Sequence, residues 1–173
     1  MGKQSGLGLG LIVNGYVLSN DIGSIGDLGG GPAALPVTGI DKSAFERIGG
    51  NRDGRMSLNA FFNKATGRAH PRLSALPTTD VILTLHIGST LGGSAACLNA
   101  KQANYDGSRP TDGSFTFDVN ALGNGYGLEW GKQLTAGVRT DTGATNGTGV
   151  DFGTGSTTFG LQAYLQVSEF TGT

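Results

Sequence analysis

Apolar and polar residues alternate with a period of two over several stretches of the chain. Residues 55–62 set Met56, Leu58, Ala60 and Phe62 on one face, and Arg55, Ser57, Asn59 and Phe61 on the other. Residues 80–87 group Val81, Leu83, Leu85 and Ile87 opposite Thr84 and His86. Residues 94–101 set Ala96 and Leu98 against Cys97, Asn99 and Lys101. Residues 114–121 turn Phe115, Phe117, Val119 and Ala121 inward, and Thr116, Asp118 and Asn120 outward. Residues 157–167 place Phe159, Leu161, Ala163, Leu165 and Val167 together, opposite Gln162, Tyr164 and Gln166. Such alternation predicts antiparallel strands with one face buried and one wet. Six Asn-Gly or Asp-Gly pairs punctuate the chain: 14–15, 53–54, 106–107, 112–113, 124–125 and 146–147. They favour the positive φ angles of tight hairpin turns, and the first sits between the short apolar runs 11–13 and 16–18.

Helical signals are few. Asp41 is placed to cap a turn through Phe45 to Ile48, stopped by Gly49 and Gly50. Pro71 suits the first turn of a short helix running to Leu76 and stopped by Pro77. Three glycine-rich stretches, 19–36, 122–127 and 136–157, carry no clear element, and the last is long for a loop inside a compact domain. Glycine supplies 32 of 173 residues, a content that weighs against a helical bundle because each one costs a helix interior about 1 kcal/mol relative to alanine. Charged residues are only 14%, which weighs against a disordered polyelectrolyte or a long solvated helix. The glycines lack a three-residue period, so the chain is not collagen-like. Length and pattern together predict one mainly β domain over 1–173, with 1–10 as an N-terminal arm and 136–157 as a long loop suited to contact between subunits.

The formal net charge of −1 gives no global attraction to nucleic acid, yet the charges are unevenly spread. Residues 41–72 carry seven basic and three acidic side chains, and residues 104–173 carry three basic and seven acidic. This is either scatter on a solvated surface or the signature of a subunit that stacks basic face to acidic face on its own copies. On the second reading Arg47, Arg52, Arg55, Arg68, Arg72, Asp141 and Asp151 are the candidate subunit contacts.

Candidate chemistry fails on inspection. Residues 88–94 have the glycine spacing of a phosphate loop, but Ser94 stands where its lysine belongs, and a strand-to-strand turn is the better reading. Residues 146–153 resemble a single calcium β-roll repeat, where about three are needed, and Gly153 replaces its apolar residue. Asn146-Gly147-Thr148 fits a glycosylation acceptor, but the apolar run near the start is too broken by glycine and asparagine for a secretion signal. His70 and His86 lie on different elements, Cys97 sits among small residues, and Glu129 has no identifiable acid partner. No catalytic, cofactor-binding or metal-binding residue is expected, and no run approaches the length of a membrane span.

The order of motifs nevertheless resembles a known family. Arg52 to Asn63 is followed by Ala69 to Pro77, then Asp80 to Ile87, then Gln102 to Val119 with its Tyr105 turn and Phe115-Thr116-Phe117 strand. This succession resembles the tail tube proteins (major tail proteins) of long-tailed bacteriophages. Residues 40–50 and 124–137 are closer to actinophage-type members. The resemblance covers roughly residues 10 to 170 and rests on the run of motifs rather than any one of them. It implies an antiparallel β-sandwich or split barrel with a flanking helix. It further implies self-association into stacked rings, usually hexameric, that form a hollow tube with other tail proteins in the virion tail, assembled in the cytoplasm of the bacterial host. No cofactor and no membrane is implied, and double-stranded DNA would pass through without specific binding. A bore lined with Lys and Arg would hold the closely spaced DNA phosphates. The lining is therefore expected to be acidic or neutral, with the basic residues of 41–72 turned to subunit contacts. The alternatives are a tube subunit of a phage-derived injection machine, a capsid-decoration or tail-tip binding protein, and a tail-associated hydrolase.

Overall fold

The computed structural model describes residues 5–153 and 160–171. Among them the strands are β1 (Leu9–Val13), β2 (Tyr16–Val17), β3 (Ile22–Gly29), β4 (Pro32–Pro36), β5 (Arg47–Arg52), β6 (Arg55–Phe61), β7 (Val81–Ile87), β8 (Ser94–Gln102), β9 (Asp106–Ser108), β10 (Thr116–Gly123) and β11 (Glu129–Lys132). One short helix, α1 (Ala69–Leu73), and a single 3-10 turn, Ser19–Asp21, accompany them. The protein is mainly antiparallel β with one short helix, as the alternation predicts.

Nine strands form one sheet in the order β2–β1–β7–β8–β10–β6–β3, with β11 paired to the first half of β8 and β9 to the start of β10. β4 and β5 form a separate two-stranded hairpin. Leu11 and Val13 lie near one end of the strand order and Met56 and Leu58 near the other, yet all four belong to one buried cluster with Leu83, Leu85, Leu98 and Val119. A flat sheet would keep its ends apart. Here the sheet curls and supplies both walls of its own core, and α1 adds only Ala69 and Leu73.

Local sequence explains much of this. Asn14 and Gly15 both have positive φ, 45° and 83°, which is the tight turn that joins β1 to β2. Of the six candidate turn pairs, only this one has both residues in that region. Asp106 and Gly107 instead lie within β9, because their backbone is paired to Asp118 and Phe117 of β10. The alternating blocks 55–62, 80–87 and 94–101 fold as β6, β7 and β8 with Met56, Leu58, Ala60, Val81, Leu83, Leu85, Ala96 and Leu98 buried as expected, while Ile87 is half-buried and Phe62 exposed. The 88–94 stretch is the β7–β8 turn.

Other expectations are corrected. No helix forms over Asp41 to Ile48. Ile48 pairs with Leu35 across the hairpin, and the Glu46 amide donates to Thr38 Oγ1, so the backbone groups a helix would use are spent across the hairpin. The helix expected from Pro71 to Leu76 begins two residues earlier and ends at Leu73. Its start is set by Asp21, 48 residues away in sequence, whose Oδ2 accepts the Ala69 amide while Oδ1 accepts Asn63 Nδ2. Residues 19–36, without assignment from pattern, hold the 3-10 turn, β3 and β4. Glycine masks the pattern there for a physical reason: a Cβ on Gly23 would stand 3.0 Å from the Phe61 ring, so the edge strand is kept bare where a β6 side chain lies across it.

Candidate self-association surfaces

The hairpin is the first unusual surface. Every residue of β4 is exposed, and in β5 only Gly50 is partly covered. It nonetheless carries Leu35, Val37, Ile40, Phe45 and Ile48, all exposed, with Phe45 at 73%. The hairpin is internally ordered by the β4–β5 ladder and by the Val37 amide donating to the Glu46 carbonyl. Its base is tied down by Arg52, whose Nη1 lies 2.8 Å from Glu129 Oε1 and whose Nη2 donates to the Leu128 carbonyl at 3.3 Å. An apolar finger whose large side chains stand exposed, with its hydrogen bonds to the rest of the described residues made at its base, is the kind of exposed patch that marks a protein–protein contact.

The second surface is the segment 160–171. The pattern predicts a strand over 157–167 with its apolar face inward. Residues 157–159 lie outside the described residues, and 160–167 form no strand. The faces are inverted. Leu161 (78% exposed), Leu165 (80%) and Phe170 (86%) point to solvent with Val167, while Tyr164 and Gln166 are half-buried. Gln166 is the anchor. Its Oε1 accepts the Gly15 amide at 2.6 Å, and its Nε2 donates to the Ile82 carbonyl at 2.9 Å and to Thr84 Oγ1 at 3.1 Å. The Tyr164 hydroxyl is buried without a hydrogen-bond partner. Burial, and after it the neighbouring Cys97 and Glu129, pushes this phenol above its ordinary range. The segment therefore lies on the polar face of β7, β8 and β11. The inversion has a simple cause: the segment meets Thr84, Cys97, the Gly15 amide and the Ile82 carbonyl, polar groups that suit Gln and Tyr and not Leu.

The charged candidates do not form one patch. Arg47, on β5, lies over the Phe45 ring at 5.1 Å. Arg52 is held by Glu129, and Arg55 at the start of β6 is paired with Asp27. Arg68 immediately precedes α1, and Arg72 within it stacks on Tyr16 at 3.5 Å. Asp141 pairs with Arg139 at 2.8 Å inside its own loop. Asp151 accepts from Lys132 Nζ at its carbonyl and from the Gly153 amide at its carboxylate. Arg52, Arg55 and Asp141 thus have partners at home. Leu9 and Gly10, placed in the N-terminal arm by the sequence reading, pair with Ile87 and His86 as part of β1.

Two further clusters were not visible in the pattern. Phe62 and Phe115, expected inside, are each 40% exposed. They close an aromatic group with His70, Tyr105 and Phe117, in which Tyr105 and Phe117 stack at 4.2 Å and His70 Nδ1 lies 3.2 Å from the Tyr105 hydroxyl. Asp80 accepts from Lys101 Nζ, Asn99 Nδ2 and Asn124 Nδ2, joining the start of β7 to β8 and to the turn after β10. Their donors hold its carboxyl below the ordinary range, Lys101 first. Glu129, raised as a catalytic acid, lines an open cleft of about 470 Å³ with Asn51, Arg52 and Tyr126, where Arg52 is its partner.

No family model matches the chain, and no curated protein does. Solved structures do. The fold is similar to a chain of the tail of an empty gene transfer agent particle, refined with C6 symmetry (TM-score 0.57, 15% identity, 73% of this chain and 98% of that one). It is similar to a chain of the native gene transfer agent virion (TM-score 0.57, 14% identity, 74% and 98%). It is also similar to a chain in the sheath/tube terminator of an extracellular contractile injection system in its extended state (TM-score 0.59, 7% identity, 74% and 96%). At these identities the likeness is one of fold, and the curled antiparallel sheet with its lone helix is a fold shared with components of phage-like tails.

Proposed function

We propose that the chain is a structural tail subunit that associates with copies of itself into stacked rings, forming a hollow tail tube through which a genome passes. The observation that carries this reading is the β4–β5 hairpin, a finger paired within itself that carries five exposed large apolar residues and is tied to the sheet at its base. A contact between this finger and a different surface on the next copy is heterologous. Such contacts close into rings or run on as filaments. The fold likeness to a chain in a C6-symmetric tail supports the same reading, and so favours hexameric rings. The seven charged candidates are proposed as rim contacts, with Arg47, Arg68 and Arg72 foremost because, among the described residues, none of these three arginines has an ion pair. A bore free of these cations leaves DNA unbound in transit, since phosphate attraction scales with the cations presented.

The test is direct. Concentrated protein is imaged by negative stain, beside a variant in which residues 37–46 are replaced by a two-residue Asn-Gly turn. Rings or tubes from the first and none from the second, with equal melting temperatures, are expected. A monodisperse monomer at every concentration overturns the proposal. A second reading, a tube component of an injection machine that carries no genome, is favoured by the likeness to the contractile injection system chain. The genes beside this one separate the two.

A further inference from the structure

Three of the turn pairs are Asn-Gly: 14–15, 124–125 and 146–147. Asparagine before glycine is chemically labile, because no Cβ shields the glycine nitrogen from the asparagine side-chain carbonyl. The structure treats the three differently. Asn14 is held at both reacting groups. Its Oδ1 accepts the Ile82 amide at 2.7 Å, and the Gly15 amide that would have to attack it donates to Gln166 Oε1 at 2.6 Å. Asn124 is held by its side-chain nitrogen, which donates to both oxygens of Asp80 at 2.9 and 3.1 Å, while its backbone amide donates to the Asn99 carbonyl. Asn146 is exposed, lies in no strand or turn, and its side chain makes no hydrogen bond among the described residues. Gly147 is exposed too and, unlike Gly15 and Gly125, is outside the positive-φ region of a tight turn.

Arg139 adds a second feature to this pair alone. Its Nε donates to Asp141 at 2.8 Å and its Nη2 to Thr145 Oγ1 at 2.7 Å. Its Nη1 is turned to Gly147, where an added Cβ would stand 2.6 Å from it. A cation beside Gly147 favours loss of the amide proton and the negative charge that develops as the nitrogen attacks.

We propose that Asn146 is a site of spontaneous modification in the folded protein, converting to aspartate or isoaspartate through a cyclic imide with Gly147, and that Arg139 promotes the reaction while the fold protects Asn14 and Asn124. Hydroxide removes the Gly147 amide proton, and the nitrogen bonds to Asn146 Cγ. The Cγ–Nδ2 bond then breaks, and Nδ2 leaves as ammonia with a proton taken from water. Water opens the ring at either carbonyl, which leaves the ordinary main chain or one rerouted through the side chain. The sum is amide plus water to carboxylate plus ammonium, with no oxidant or reductant. The new carboxylate adds a negative charge beside Arg139, where it competes with Asp141 for the guanidinium. The inference is independent of the proposed self-assembly.

The dilute, folded full chain is held at mildly alkaline pH and sampled over time by peptide mapping with mass spectrometry, with enzymatic methylation of isoaspartate as a second readout. A sample unfolded in guanidinium runs in parallel. In the folded chain the peptide holding Asn146 is expected to gain the mass of an amide-to-acid exchange, while the peptides holding Asn14 and Asn124 keep their amides. In the unfolded chain all three should convert at similar rates. Arg139→Ala is expected to slow the folded-state reaction about twofold to fivefold, the range of an exposed charge contact, with Arg139→Lys restoring most of the rate. Conversion of Asn14 or Asn124 as fast as Asn146 in the folded chain overturns the site. So does an Asn146 that stays intact in the folded chain while all three react in guanidinium. An unchanged or faster rate in Arg139→Ala overturns the role given to Arg139.

Discussion

Gly15 is the residue on which segment 160–171, the first turn and the sheet meet. Its φ of 83° and the close approach of the Val167 carbonyl both exclude a side chain. Gly15→Ala is expected to lower stability by about 1–2 kcal/mol, read from chemical denaturation, with part of the loss reflecting displacement of the Val167 carbonyl. Tyr164→Phe removes a buried hydroxyl that has no partner, so it is expected to be neutral or to raise the melting temperature. Asp80 predicts a pH response. Its folded pKa is depressed, chiefly by Lys101, so its contribution is fully present above the ordinary carboxylate pKa near 4 and is lost as pH falls through the lower folded value. Asp80→Asn should therefore narrow its melting-temperature gap to the parent protein as pH drops from about 5 towards 2, and a gap that widens would contradict the assignment. These three roles were illegible in sequence for one reason: each depends on a partner far along the chain. Gly15 meets Val167, Tyr164 lies near Cys97, and Asp80 gathers Asn99, Lys101 and Asn124.

At the level of elements, β8 is the spine, because it pairs with β7 along one edge and with β11 and β10 in turn along the other. Leu98→Ala at its fully buried centre is expected to cost about 2–5 kcal/mol in unfolding free energy. The hairpin should behave oppositely. Shortening it at 37–46 removes Val37, Ile40 and Phe45, which are exposed and lie outside the buried core, so stability is expected to hold while assembly fails in sedimentation and microscopy. The alternating blocks were readable because strands with one wet face carry their orientation in their own residues. β3 and β4 were not, because glycine and proline hide the period at edges where neighbouring side chains or solvent take the space. The helix over 69–73 was legible in kind and misplaced in position, since its cap comes from Asp21 rather than from a neighbour in sequence.

For the whole molecule, exposed apolar residues concentrate on the hairpin and on segment 160–171, which share no strand ladder among the described residues, and a unit with two such faces suits repeated head-to-tail contact. Assembly driven by these faces should tolerate salt better than assembly driven by charge, because Arg52, Arg55 and Asp141 are already paired at home and Debye screening acts on the few cations that remain. Light scattering between low and about 0.5 M salt distinguishes the two, and collapse of the particles on adding salt would favour the charge-driven picture. By itself the sequence determined the fold class, the first hairpin turn and the inward residues of β6, β7 and β8, all of which follow from local periodicity and turn chemistry. Tertiary structure alone decided that the clearest remaining alternation, at 157–167, would not become a buried strand over its described part. The cause is physical: alternation says that two faces differ, but which face turns inward depends on what the chain lands on, and here it lands on polar groups.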